Sequence, residues 1–167
     1  MGNGIRICIV GAGSSYTPEL IRGIILADPD RLPVASIAMT DIDAARRDVM
    51  AGLADRMLRA AGRPAAVRAA RSLPEALDGS DFVIAQIRVG GMEARILDET
   101  IPLKYGIVGQ ETTGPGGMFK ALRTVPKMLE IAGAVERAAP DAVILNYTNP
   151  SGIVAEAVSR HSRARIV

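Results

Sequence analysis

Ile5 to Val10 is a short apolar run that ends at Gly11. A continuous run of this kind suits a central parallel strand covered on both faces. Gly11-Ala12-Gly13-Ser14-Ser15-Tyr16 then carries the chain into a helix expected over Ser14–Leu26. Pro18 falls near its first turn, where a missing N–H is tolerated. The first glycine permits a tight turn. The second lets the backbone approach a pyrophosphate, which a helix N-terminus receives on free N–H groups. The third glycine of the usual dinucleotide fingerprint is Tyr16 here.

The rest of the chain repeats the alternation. Strands are expected at Val34–Thr40, Ala65–Ala70, Asp81–Ile87, Ala142–Asn146 and from Arg165 to Val167. Between them lie helices at Asp43–Ala61 (ended by Gly62 and Pro64), a short one opened by Ser72-Leu-Pro-Glu75, Met118–Ala138 with a kink at Pro126, and Ser151–Arg160. Ser72 and Glu75 have capping-box spacing. Strands alternating with helices imply an α/β fold: a doubly wound parallel sheet of the Rossmann type, forming one domain over residues 1–167.

Composition narrows the function. Aromatic residues are 3% of the chain, too few for a base-stacking surface, and a net charge of +2 lacks the footprint of a nucleic-acid binder. The single Cys8 rules out an internal disulfide and a cysteine-based zinc cluster. No apolar run approaches the length of a membrane span, and the N-terminus lacks a signal-peptide pattern, so a cytoplasmic location is expected.

Three places carry candidate chemistry. Asp41 ends the second strand, where a carboxylate can accept hydrogen bonds from both adenosine ribose hydroxyls and favour NAD over NADP. Its spacing from Gly11 is long, and the Asp28–Pro33 loop accounts for the excess. Arg46 and Arg47 stand close enough to leave NADP open. The stretch from Arg88 to Gly117 mixes arginines, carboxylates and Gly-rich turns in a way that neither a packed helix nor a strand requires. It follows a strand, on the side of an open α/β sheet where ligands sit. Within it, Arg95 is either an anion clamp or a surface arginine paired to Asp98 or Glu99. Glu111 is either a carboxylate acting on a neighbouring catalytic group or a loop-end hydrogen-bond acceptor. Finally, Asn146-Tyr147-Thr148-Asn149-Pro150 follows the fifth strand. Asn149 there is either a helix N-cap or a substrate contact. His161 reads as exposed and Cys8 as buried, without chemical roles.

Together GAGSSYTPEL, RVGGMEARILDETIPLKYGIVGQETTGPGG, ALRTVP and NYTNPSGIVAEA resemble the N-terminal half of a family 4 glycoside hydrolase, from about Ile5 to Val167. The RVGGMEAR form and the Thr-Thr after Glu111 resemble the members acting on 6-phospho-β-glucosides. The resemblance implies NAD-dependent cleavage rather than the usual pair of carboxylates. Hydride leaves C3 of the sugar, a tyrosine base takes the C2 proton, a divalent metal (typically Mn²⁺) assists, and the aglycone is eliminated. Water then adds and the hydride returns.

By the same resemblance, Gly11, Gly13, Ser14, Ser15 and Asp41 match NAD-contacting positions. Arg95 and Asn149 match substrate-contacting ones. Glu111 matches the residue that raises the basicity of the tyrosine base. The resemblance further implies a phosphorylated glucoside as substrate and a homo-oligomer, dimer or tetramer. The family's metal ligands, acid and tyrosine base lie beyond its Thr-Asn-Pro motif, and are expected past Val167. The chain is thus expected to be part of a longer enzyme, inactive alone, with no metal ligand of its own and apolar surface where the remainder packs. Two other readings stand beside this one: a malate- or lactate-type dehydrogenase, and a non-catalytic NAD-binding module.

Overall fold

The computed structural model describes residues 4–63 and 65–167. Six strands form one parallel sheet: β1 (Ile5–Val10), β2 (Val34–Thr40), β3 (Ala66–Ala69), β4 (Phe82–Ala85), β5 (Val143–Asn146) and β6 (Arg165–Ile166). Their spatial order is β3-β2-β1-β4-β5-β6. The order reverses between β1 and β4, and a crevice outside the carboxyl ends of those two strands is where such sheets bind ligands.

The alternation within β1 explains why the sheet is wound on both sides. Cys8 and Val10 point into one core with Val83, Ile144, Met128, Val135, Val154 and Val158. Ile7 and Ile9 point into another with Ile21, Ile24, Ile37, Ala54 and Leu58. Successive strand side chains face opposite sides, so a strand apolar at consecutive positions needs helices on both faces. Helices α1 (Thr17–Leu26) and α2 (Ala44–Ala60) supply one layer; α3 (Leu73–Leu77), α5 (Gly114–Ala138) and α6 (Ser151–His161) supply the other.

Local chemistry sets the helix ends. The Asp43 carboxylate accepts from the Arg46 N–H at 3.0 Å and caps α2. Ser72 Oγ accepts from the Glu75 N–H at 3.3 Å, while the Glu75 carboxylate reaches back to the Arg71 N–H at 2.8 Å, one residue beyond the usual box. Helix α1 starts at Thr17 rather than Ser14, because the Ser14 hydroxyl accepts from the Tyr16 N–H and holds a turn ahead of the helix. Pro64, expected to help end α2, lies outside the described residues.

The largest difference from the sequence-based expectation is in the polar stretch. Residues Gly91–Leu103 form a helix, α4, and α5 begins at Gly114 instead of Met118. Gly90, at φ 82°, turns the chain into α4, and Arg95 pairs with Glu99 one turn later. The apolar residues Met92, Ile96, Leu97 and Ile101 do recur at helical spacing, but all four are exposed. What α4 buries is Pro102 and Asp98, the latter held by Arg123 of α5 through two hydrogen bonds. A polar anchor with an apolar outer stripe inverts the usual amphipathic pattern, which hid the helix. Helix α5 runs on through Pro126 as one element.

Candidate functional site

The first site is the turn after β1. Gly11 has φ +83°, and a Cβ there would lie 2.6 Å from the Gln86 carbonyl oxygen at the end of β4. Only glycine fits so close an approach with that backbone. Gly13 donates its N–H to Asp41 Oδ2 at 2.8 Å, while Asp41 Oδ1 accepts from the Asp43 N–H at 2.9 Å. A Cβ on Gly13 would meet Arg46 Cβ at 2.9 Å and Asp41 Oδ2 at 3.0 Å. Asp41 thus clamps the turn to the end of β2 and keeps lone pairs for further donors. Arg46 completes the clamp by donating from Nε to the Gly13 carbonyl at 3.0 Å.

The two arginines near Asp41 have separate fates. Arg46 lies against the turn. Arg47 is buried, bonded to the Ala70 carbonyl and paired with Asp48. At the other side of the turn, buried Thr17 donates to the Ala12 carbonyl at 2.8 Å and accepts from Gln86 Nε2 at 2.8 Å. Gln86 therefore ties the end of β4 to the start of α1. Sequence reasoning missed both residues: a Gln closing an apolar strand, where polar side chains are uncommon, was the available signal.

The second site lies past β4. Glu111, from the loop between α4 and α5, is held by three cations from three segments. Arg88, just after β4, donates to Oε1 at 2.7 Å; Arg95, on α4, approaches Oε2 at 3.5 Å; Lys120, on α5, also bonds Oε1. The Lys120 side chain is 4% exposed and that of Glu111 17%. Burial pushes the Glu111 carboxyl up, but bonds and charge from Lys120 and Arg88 outweigh it and leave it below the usual range. Burial pulls Lys120 below its ordinary value, against Glu111, with Arg88 and Arg95 adding repulsion. Seen from either partner, Glu111 is the firmly ionised member, because it faces three positive groups.

Arg95 has its Nε on Glu99 at 2.7 Å and reaches Glu111 as well. The expected surface pairing with Glu99 is present, and it leaves the arginine aimed at the cluster. Lys120 is not among the candidates that the sequence offers. A lysine in an apolar helical run reads as a solvated residue, and only the fold reveals its burial.

The Thr-Asn-Pro loop completes the rim. Thr148 Oγ1 accepts from the Ile87 N–H at 3.0 Å and donates to the Ala85 carbonyl at 3.2 Å, fixing the loop to the end of β4. Asn146 accepts from the Thr148 N–H and donates to the Thr148 and Ser151 carbonyls. Pro150, preceded by a cis peptide bond, occupies the cap position of α6 without a side-chain bond, so Asn149 is not its N-cap. Asn149 makes no hydrogen bond among the described residues and is left half-buried. Between the starts of α5 and α6 runs a mainly apolar groove of about 640 Å³, lined by Thr112, Thr113, Gly114, Met118, Ala121, Leu122, Pro150, Gly152 and Ile153.

Glycine turn and charged cluster therefore flank the crevice at the ends of β1 and β4. Several known proteins are similar to this chain. A probable 6-phospho-beta-glucosidase of Bacillus subtilis is 46% identical over 100% of this chain and 38% of its own length. The 6-phospho-alpha-glucosidase from gut microorganisms, solved with NAD and Mn²⁺, superposes at TM-score 0.90 with 34% identity, over 99% of this chain and 38% of that one. The Thermotoga maritima 6-phospho-beta glucosidase, solved with manganese, NAD⁺ and glucose-6-phosphate, does so at 0.86 with 37% identity, over 94% and 38%. The chain thus spans under two-fifths of the length of these relatives. A lactate dehydrogenase of Eimeria maxima, 17% identical at TM-score 0.67, shares the fold alone. With residues 6–167 matching the family's sequence profile throughout, this chain belongs to the family 4 glycosyl hydrolases.

Proposed function

We propose that this chain is the NAD-binding part of a glycosidase that cleaves 6-phospho-β-glucosides. The observation that carries the reading is the pairing of a cofactor-sized glycine turn, clamped by Asp41, with a cation-rich cluster across the same crevice. The names of its relatives supply the substrate class.

The turn fits a dinucleotide. Gly11 and Gly13 leave the backbone bare where a pyrophosphate approaches, Ser14 and Ser15 stand at the entry to α1, and Asp41 lies where the ribose hydroxyls would donate. Bound NAD⁺ supplies a two-electron acceptor for a hydride from a sugar carbon. This chain's residues hold and orient. Arg95 and Asn149 contact the sugar, with Arg95 toward its phosphate. Glu111 keeps its carboxylate charged beside the reacting groups and acts on the tyrosine base. Among the described residues no three His, Cys, Asp or Glu side chains gather into a metal site, so Mn²⁺ has no fitting place on them. A homo-oligomeric, cytoplasmic enzyme completes the reading; no helix of the described residues is long and apolar enough to cross a membrane.

Calorimetric titration with NAD⁺, with NADP⁺ as control, tests the cofactor half. Saturable binding of NAD⁺ with much weaker binding of NADP⁺ is expected, and equal or absent binding contradicts it. The substrate half is tested by hydrolysis of 6-phosphorylated aryl β- and α-glucosides by the full-length gene product with NAD⁺ and Mn²⁺. Turnover confined to the α anomer would contradict the β assignment.

A further inference from the structure

We infer that Lys120 is a positioning residue for the reaction: it fixes the Glu111 carboxylate at the carboxyl end of β4 and makes the surrounding cluster net positive toward the reacting groups. The inference rests on the glycosidase reading and deepens it.

The geometry is specific. Four successive segments converge on one carboxylate: the end of β4 through Arg88, α4 through Arg95, the following loop through Glu111 itself, and α5 through Lys120. Lys120 is the most deeply buried of the three cations, with Arg88 and Arg95 side chains about one-third exposed. Removing an ammonium from water costs several kcal/mol, and an apolar residue of similar size is often more stable in such a place. Stability alone therefore gives little reason for a lysine there. Three cations face two carboxylates, Glu111 and Glu99, which leaves an excess of positive charge. That excess sits at the crevice where substrate is expected.

A positive cluster favours the ionised form of a neighbouring acid. Lys120 therefore has two effects. It keeps Glu111 from swinging to solvent or to another arginine. It also makes deprotonation of a nearby base easier than Glu111 alone would allow.

The test compares Lys120→Met and Lys120→Arg with the wild type. In the present chain, ¹³C NMR titration of the Glu111 carboxyl should show its midpoint moving to higher pH in Lys120→Met and returning in Lys120→Arg. In the full-length gene product, the acidic limb of the kcat/KM profile should move alkaline by roughly one pH unit in Lys120→Met, a tenfold change in an ionisation constant. KM for the phosphoglucoside should stay nearly constant, and Lys120→Arg should restore most of the shift. An unmoved Glu111 midpoint overturns the inference. So does a lower melting temperature with an unchanged pH profile, which would make Lys120 a packing residue only. If the wild-type gene product turns over no phosphoglucoside, the glycosidase reading fails, while the carboxyl titration still decides whether Lys120 holds Glu111.

Discussion

Asp41 and Gly13 show how one residue serves two ends. The carboxylate proposed to meet a ribose also holds the Gly13 N–H at 2.8 Å. Asp41→Ala should therefore weaken NAD⁺ binding through the turn as well as through the ribose. We expect a loss of roughly tenfold or more, at least about 1.4 kcal/mol, and a similar loss for Gly13→Ala, whose added methyl would press on Asp41 and Arg46. Titration calorimetry would show this; an unchanged affinity in either variant removes the turn from the cofactor site. Cys8 makes the opposite case. Fully buried in β1, its thiol is pushed up to about 12 by burial. Iodoacetamide at pH 8 should leave it unmodified in the folded chain and alkylate it in denaturant; rapid labelling of the native chain would refute its burial. The glycines, Asp41 and Cys8 were legible in the sequence because strand-end position and apolar context fix them locally. Lys120 and Gln86 were not, because what they hold depends on partners 9 and 69 residues away.

At the scale of elements, legibility followed where each element's apolar side went. β1, β2 and α2 obey the usual patterns, and their ends fall within a residue or two of expectation. α4 does not, since Asp98 faces inward and Ile96, Leu97 and Ile101 face outward. Such a helix is held by charge, and so is the loop that follows it. This gives the loop a pH dependence of known sign. The Glu111 carboxyl is depressed in the folded chain, so its contribution to stability is present above the unfolded value near pH 4 and is lost as pH falls through the folded value. Urea unfolding between pH 6 and about 2 should show wild type losing more stability than Glu111→Gln. The variant should also start lower at neutral pH, by roughly 2–4 kcal/mol, because Lys120 keeps its burial without its counter-ion. Parallel curves for the two proteins would contradict the link.

For the whole molecule, the decisive quantity is exposed area. The chain presents 9480 Å² for a mass of 17.5 kDa, whereas a folded monomer of that mass is expected to present roughly 7,900 Å². Much of the exposed apolar surface lies on α4, the start of α5 and the loop between them: Ile96, Leu97, Leu103, Val108, Phe119 and Leu122. Exposed large apolar side chains gathered on neighbouring elements point to a contact surface. Sedimentation velocity should therefore show concentration-dependent association of this chain, reduced by Leu97→Lys with Leu122→Lys. A monomer at all concentrations would show that the patch is tolerated in water. Those exposed apolar side chains have a thermal consequence. Heat-capacity change on unfolding scales with apolar surface newly exposed, about 12–15 cal/mol/K per residue for ordinary domains. A chain that already shows so much apolar surface when folded should fall below that range in calorimetry. Its stability curve should then be unusually flat, so that cooling or warming moves its folded fraction less than in a domain of the same length with fewer exposed apolar side chains.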